Sequence, residues 1–227
     1  MSFVPRPIEE LEAKIEYNFN DKDLLRSALT HSSTGKKNNY ERLEFLGDRV
    51  LGLVIASLLY HKFPSEPEGD MAKRLASLVQ GQTLADLSSR ISLGEFIFFS
   101  ESEAASGGAE NNHILADVLE ALIGALYIDG GFEQCQRLIE THWQDILHLM
   151  SSPPQHPKTS IQEWAQANGL PLPNYEIVSQ SGPDHAPVFK VSVTVKGHPP
   201  ITAEGRSRAD AEKEVAALFM AGVPKKP

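Results

Sequence analysis

Three carboxylates, Glu41, Glu44 and Asp48, stand three and then four residues apart in ERLEFLGDRVLGLVIASLLY, a stretch whose other positions are largely apolar. At roughly 100° per residue they project within about 60° of one another on a helix, making one acidic stripe beside a hydrocarbon face. A second such place is HILADVLEALIG, where Asp117 and Glu120 interrupt Ile114, Leu115, Val118, Leu119, Leu122 and Ile123. A third acidic spot, Glu68 and Asp70, falls in a connector between helices. An acid on a helix is ordinarily a solvated charge or a first-turn residue favoured by the helix dipole, and that reading suits Glu41. It suits Asp117 and Glu120 badly, because unpaired carboxylates against a core cost several kcal/mol unless a cation or a proton neutralises them.

Two inward acidic stripes on two helices are able to face each other, and an all-oxygen ligand set without His or Cys suits a hard cation such as Mg²⁺ or Mn²⁺. A di-iron bundle site is the neighbouring possibility, but it requires a His three residues after an acid, and neither Glu44 nor Asp117 has one. Phosphodiester hydrolysis is the reaction that most needs such a metal, which activates a water, neutralises the scissile phosphate and stabilises the leaving oxygen.

Composition narrows the rest. The chain has 227 residues, 41% of them hydrophobic, enough for one large or two modest domains. A single cysteine, Cys135, excludes an internal disulfide and a thiolate metal cage, and points to a reducing compartment. No basic segment followed by an apolar one opens the sequence, and the longest apolar stretch, about 51–60, is too short to cross a bilayer; a cytoplasmic protein without a membrane partner is expected. The formal charge of −9 argues by itself against nucleic acid. The acidity is local, however: up to residue 155 there are 13 Lys and Arg against 23 Asp and Glu, a net of −10, and beyond it 8 against 7, a net of +1.

The elements that must position these groups are helical up to about residue 150. Leu11, Ile15 and Phe19 suggest a first helix, and Asp21 caps a second through Leu24, Leu25, Ala28 and Leu29. The stretch from Glu41 onward predicts the central helix, its C-terminal half buried on all sides. One helix from Asp70 to about Ile91, tolerating Gly81, then a flexible polar loop at SEAASGGAENN, and a closing pair of helices around Gly130 and Gly131 complete this part. SSPPQHPK, 151–158, is a linker by composition, its prolines opposing regular structure. Beyond it the periodicity changes to α-β-β-β-α. The fold expected is therefore α+β in two domains, all-helical over 1–150 and mixed over 159–227.

ERLEFLGDRVLG closely resembles the signature of the ribonuclease III family, and ILADVLEALIGALYIDGG resembles its second acidic block. GDMAKRLASLV and TLADLS fit the sequence between them, and the α-β-β-β-α tail resembles a double-stranded-RNA-binding domain. The resemblance covers nearly the whole chain. It implies an endonuclease that works as a homodimer on double-stranded RNA, with Mg²⁺ (Mn²⁺ substituting), leaving 5′-phosphates, 3′-hydroxyls and short 3′ overhangs in the processing of ribosomal, messenger and small-RNA precursors. It further implies that Glu44, Asp48, Asp117 and Glu120 bind metal, with Asp48 and Glu120 catalytic. Glu41 and Glu68 become auxiliary acids, and Phe45 an aromatic that packs into the partner subunit.

In the tail, the resemblance implies RNA contacts at Gln162 and Glu163, at His185, and at Arg206, Arg208 and Lys213. The cation-rich helix start of the family departs here to RSRADAEKE: Ala209 replaces an expected cation and Asp210 follows. Weaker and less salt-dependent RNA binding is expected, each lost phosphate contact removing roughly 0.9 from the slope of log K against log salt. His31 reads as a helix-end structural histidine, Gly107 and Gly108 as a turn, Cys135 as packing, and Trp164 as core, since duplex RNA offers no unstacked base. Two competing readings remain. A duplex-RNA-binding protein without chemistry leaves the six acids unexplained, and a small-molecule metal hydrolase leaves the tail unexplained.

Overall fold

The computed structural model describes residues 4–154, 156–183 and 186–223. The chain divides into two compact units, Met1–Pro154 and Gln155–Pro227.

The first unit is helical. Helix α1 spans Ile8–Lys14 and α2 spans Lys22–Ala28. Helix α1 ends earlier than the Leu11, Ile15, Phe19 spacing suggests, because Glu16 adopts a left-handed backbone (φ 55°) and turns the chain. Phe19 still reaches the core. Its N–H donates to the buried Glu12 carboxylate at 2.7 Å, which also takes the Lys22 ammonium. Asp21 caps α2 as expected, accepting from the N–H groups of Asp23 and Leu24 at 2.9 and 3.0 Å.

Helix α3 (Glu41–Lys62) carries the first acidic stripe, and α7 (Asn112–Gly130) the second. The element buried nearly all round is α7, not α3: eleven of its residues from Ile114 to Leu126 are buried. The C-terminal half of α3 instead leaves Leu53 and Tyr60 exposed, on the same side as Phe45 near its start. Apolar residues here do not report burial within one chain, because one flank of α3 has no neighbour among the described residues of its unit.

The stretch read as one helix from Asp70 to Ile91 is two, α4 (Glu68–Val79) and α5 (Gly81–Arg90), broken where Gln80 goes extended (ψ 148°). Arg74 on α4 is fully buried, donates two hydrogen bonds to Glu66 at 2.8 and 2.6 Å and one to the Met150 carbonyl at 3.0 Å, and lies 3.8 Å from the Phe63 ring centroid. It fastens the α3–α4 connector to the end of α8 (Phe132–Leu149). The segment expected to be a flexible polar loop is folded: Ser100 caps the short helix α6 (Glu101–Ala105), accepting from Glu103 N–H at 3.2 Å, and Gly107 (φ 84°) turns the chain into a 3₁₀ turn over Gly108–Glu110. Ser, Gly and Asn, which argue for irregular backbone by composition, here supply caps and one left-handed position.

The second unit is α9 (Pro157–Ala167), an antiparallel meander β1 (Asn174–Ser181), β2 (Val188–Thr194) and β3 (Ile201–Gly205), and α10 (Arg208–Gly222). Pro157 is the first residue of α9 rather than a helix breaker, since the first position of a helix needs no N–H partner. Both helices cover one face of the sheet around Ile161, Val191, Val193, Val215 and Phe219. Trp164 packs edge-on to Phe219 and His198 with centroids 5.4 and 5.2 Å away, a core position as expected.

Candidate metal centre and RNA-binding residues

Helices α3 and α7 pack along much of their length, and two glycines decide how closely. A Cβ on Gly47 would lie 1.7 Å from the Glu120 carbonyl oxygen, and one on Gly124 would lie 2.2 Å from the Leu43 carbonyl oxygen. The two backbones therefore touch, each glycine seated against the other helix one turn from an acid. Glycine costs a helix interior about 0.5–1 kcal/mol relative to alanine, so two at one crossing are kept for the approach they allow. Neither was singled out in the sequence, where glycine within an apolar helix was the available signal.

The crossing brings Glu44, Asp117 and Glu120 together, all half-buried, with ligand oxygens within 4.8 Å of one another. Asp48 lies on the same helix one turn beyond Glu44, but its carboxylate accepts from the adjacent Arg49 guanidinium at 2.5 Å and is not part of the trio. Glu41 stands at the first turn of α3 and accepts from the Asn39 side chain at 3.2 Å, and Glu68 is exposed at the first residue of α4. Of the six acids that the resemblance assigns to the site, three therefore converge.

Electrostatics report the crowding. Burial, then the charges of Asp48, Glu44 and Asp117, push the Glu120 carboxyl up to about 8. Burial and Asp117 raise Glu44, and burial raises Asp117 against the downward pull of His113 and His31. Carboxyls raised by burial, and in Glu44 and Glu120 also by neighbouring carboxylates, are the state that a divalent cation relieves, and the donor set is wholly oxygen. The residues present therefore fit a hard cation.

His31 sits beside this site in the structural role expected of it. Its Nδ1 accepts from Ser33 N–H at 3.2 Å, capping a 3₁₀ turn, and its ring stacks on buried Tyr40 with centroids 5.4 Å apart. Cys135 is fully buried on α8, its thiol donating to the Ile123 carbonyl at 3.5 Å, and burial pushes it up to about 12. It is packing, not chemistry.

On the other flank of α3, Phe45 is 71% exposed, 5.8 Å from the Arg49 guanidinium. Beside it opens a groove of about 770 Å³ lined by Leu24, Leu43, Leu46 and Ile128 with Arg42 and Lys37.

In the second unit Gln162, Glu163, Arg206, Arg208 and Lys213 are all exposed. Arg208 is ion-paired, its Nε donating to Glu212 at 2.7 Å. His185 lies outside the described residues.

Comparison with known proteins agrees with this geometry. Residues 21–146 match the ribonuclease-III-like family, and residues 157–221 match the double-stranded RNA binding motif. The nuclease domain of ribonuclease III from Campylobacter jejuni, which has a region involved in dimer formation, superposes with a TM-score of 0.59 at 46% identity, covering 61% of this chain and 99% of that one. Ribonuclease 3 of Ehrlichia ruminantium is 45% identical over 92% of this chain and 94% of its own length. Ribonuclease 3 of Wolbachia pipientis from Culex pipiens is 46% identical over 93% and 94%. Likeness of this degree, running through both units and the acid-bearing helices alike, means that the chain belongs to the ribonuclease III family.

Proposed function

We propose that this double-stranded-RNA endoribonuclease hydrolyses phosphodiesters with Mg²⁺ held by Glu44, Asp117 and Glu120, joined by Asp48. The observation that carries the reading is the convergence of three half-buried carboxylates, where burial and then the charges of Asp48, Glu44 and Asp117 lift Glu120 to about 8. A bound divalent cation supplies an activated water and neutralises the scissile phosphate. Glu44, Asp117 and Glu120 would hold the cation, and Glu120, raised to about 8, is the carboxyl that keeps its proton at neutral pH without it. Asp48, paired with Arg49 here, would join the ligands by exchanging that guanidinium for the cation, and Glu41 and Glu68 would serve as auxiliary acids. Hydrolysis in this manner leaves 5′-phosphate and 3′-hydroxyl ends, with short 3′ overhangs where two centres act across the duplex.

The catalytic domain is residues 1–150 and the RNA-binding domain starts at Pro157, where α9 begins, so the linker expected over 151–158 shortens to 151–156. The enzyme acts in the cytoplasm on structured precursors of ribosomal, messenger and small RNAs. An end-labelled duplex of a few helical turns is expected to be cut in Mg²⁺ and left intact in chelator, with products that become phosphatase-sensitive at the 5′ end. Products ending in 5′-hydroxyl, or cutting that persists in chelator, would sink this mechanism.

The second copy docks on the exposed flank of α3. Phe45 protrudes at the edge of a groove roomy enough to take an aromatic side chain, so one surface carries both a knob and a hollow, as a two-fold self-complementary contact requires. Leu53 and Tyr60 extend the same flank. Phe45→Asp is expected to shift the protein from dimer to monomer in sedimentation and to leave helix content unchanged, because the residue touches little within its own chain. A variant that still sediments as a dimer would place the interface elsewhere.

A further inference from the structure

The RNA-binding unit has few cations to spare, with 8 Lys and Arg against 7 Asp and Glu beyond residue 155. Two of those cations converge on one acid. Glu212 is 7% exposed, and each of its carboxylate oxygens is taken: Lys158 Nζ donates to one at 2.5 Å, and Arg208 Nε to the other at 2.7 Å. The cations lie outward of it, with 35% of the Lys158 side chain and 62% of the Arg208 side chain exposed. The Lys158 ammonium is also 5.1 Å from the Tyr175 ring centroid, which helps to keep it on this patch. Lys158, then Arg208, hold the Glu212 carboxyl below the ordinary range, so it is a fixed negative charge at neutral pH. At the start of α10, Asp210 is engaged as well: Ser207 Oγ accepts from its N–H at 3.1 Å and donates to its carboxylate at 2.7 Å.

A phosphate that approaches Lys158 or Arg208 thus meets a cation already matched by a carboxylate beneath it. We propose that Glu212 is an internal competitor of RNA phosphate, holding Lys158 and Arg208 in a triad that weakens duplex binding and flattens its salt dependence. The triad presents one net positive charge where two cations without the acid would present two. The inference rests on the second unit's being the double-stranded-RNA-binding domain, and it adds a residue that acts against binding.

The test uses the full chain in chelator, where no cutting occurs, with an RNA duplex of about 16 base pairs and a series of salt concentrations. Glu212→Gln is expected to bind about threefold or more tightly at moderate salt and to steepen the slope of log K against log salt by about 0.9. Adding Arg208→Gln and Lys158→Gln to that variant should remove the gain. A folded Glu212→Gln with equal or weaker binding and an unsteepened slope would overturn the proposal and make Glu212 a residue that positions the two cations.

Single variants of the native chain decide the matter should Glu212→Gln not fold. Arg208→Gln is expected to flatten the slope clearly less than Arg206→Gln, and equal losses would overturn the proposal. Failure of the native chain to bind duplex RNA even at low salt is a separate result, which refutes the RNA-binding assignment and the competition with it.

Discussion

Replacing Glu120 by glutamine is expected to abolish Mg²⁺-dependent cutting of duplex RNA and, in the same molecule, to raise the melting temperature of the metal-free protein at pH 8. The two effects have one cause. Burial and three neighbouring carboxylates move Glu120 from its ordinary 4.5 to about 8. The folded, metal-free chain therefore keeps a proton that the unfolded chain has released, and its stability falls as pH rises between those two values. The penalty at pH 8 is on the order of 2 to 4 kcal/mol, the lower figure allowing for screening by solvent around a half-buried group. Glutamine keeps the shape and removes the charge, so the variant loses this pH dependence along with the metal site.

On the proposed mechanism a divalent cation would take the place of the proton in the native protein. Mg²⁺ is accordingly expected to raise the melting temperature more at pH 8 than at pH 5.5, while leaving the variant nearly unmoved at both. Thermal unfolding across pH with and without Mg²⁺, beside a cleavage assay, checks both halves. A variant that is inactive but also less stable than the native chain at pH 8 without metal would show that Glu120 is a packing residue, and not the over-charged member of a metal site.

Gly47→Ala is the other substitution with a large expected effect. Its Cβ would stand 1.7 Å from the Glu120 carbonyl oxygen, and a helix backbone cannot yield as a side chain does. Helices α3 and α7 must separate, at a cost of at least about 3 kcal/mol, the upper end of what overpacking ordinarily exacts. The separation also pulls Glu44 away from Asp117 and Glu120, and a misplacement of about 1 Å at a catalytic centre costs roughly a hundredfold in rate. Gly81→Ala is the control: that glycine opens α5 with nothing within 4 Å of the added atom, and neither stability nor cutting should fall. Equal behaviour of the two variants in unfolding and cleavage would refute the close crossing.

The acids were legible in the sequence because their chemistry conflicts with their surroundings. Asp117 and Glu120 stand among Ile114, Leu115, Val118 and Leu122, and only a buried counter-charge makes sense of that. The second unit was legible because its alternation of apolar and polar residues has the period of strands, and its register follows from burying Val191 and Val193 on one face. Element ends were legible where a side chain performs the capping, as at Asp21, and were missed where backbone conformation does, as at Glu16 and Gln80.

What the sequence by itself determined is the inventory and its local geometry: which carboxylates share a helix face, where the helical part ends, and that a small, nearly neutral module follows. Only the tertiary structure decided that Gly47 and Gly124 are the contact on which the site depends, that Asp48 is turned to Arg49, and that Glu212 holds Lys158, a residue 54 positions away. It also decided which apolar face of α3 stays exposed among the described residues. The physical reason is range. Periodicity and capping act over a few residues, and a sequence displays them. Helix separation and charge pairing act across space between segments far apart in the chain, and their outcome exists only once the helices have packed.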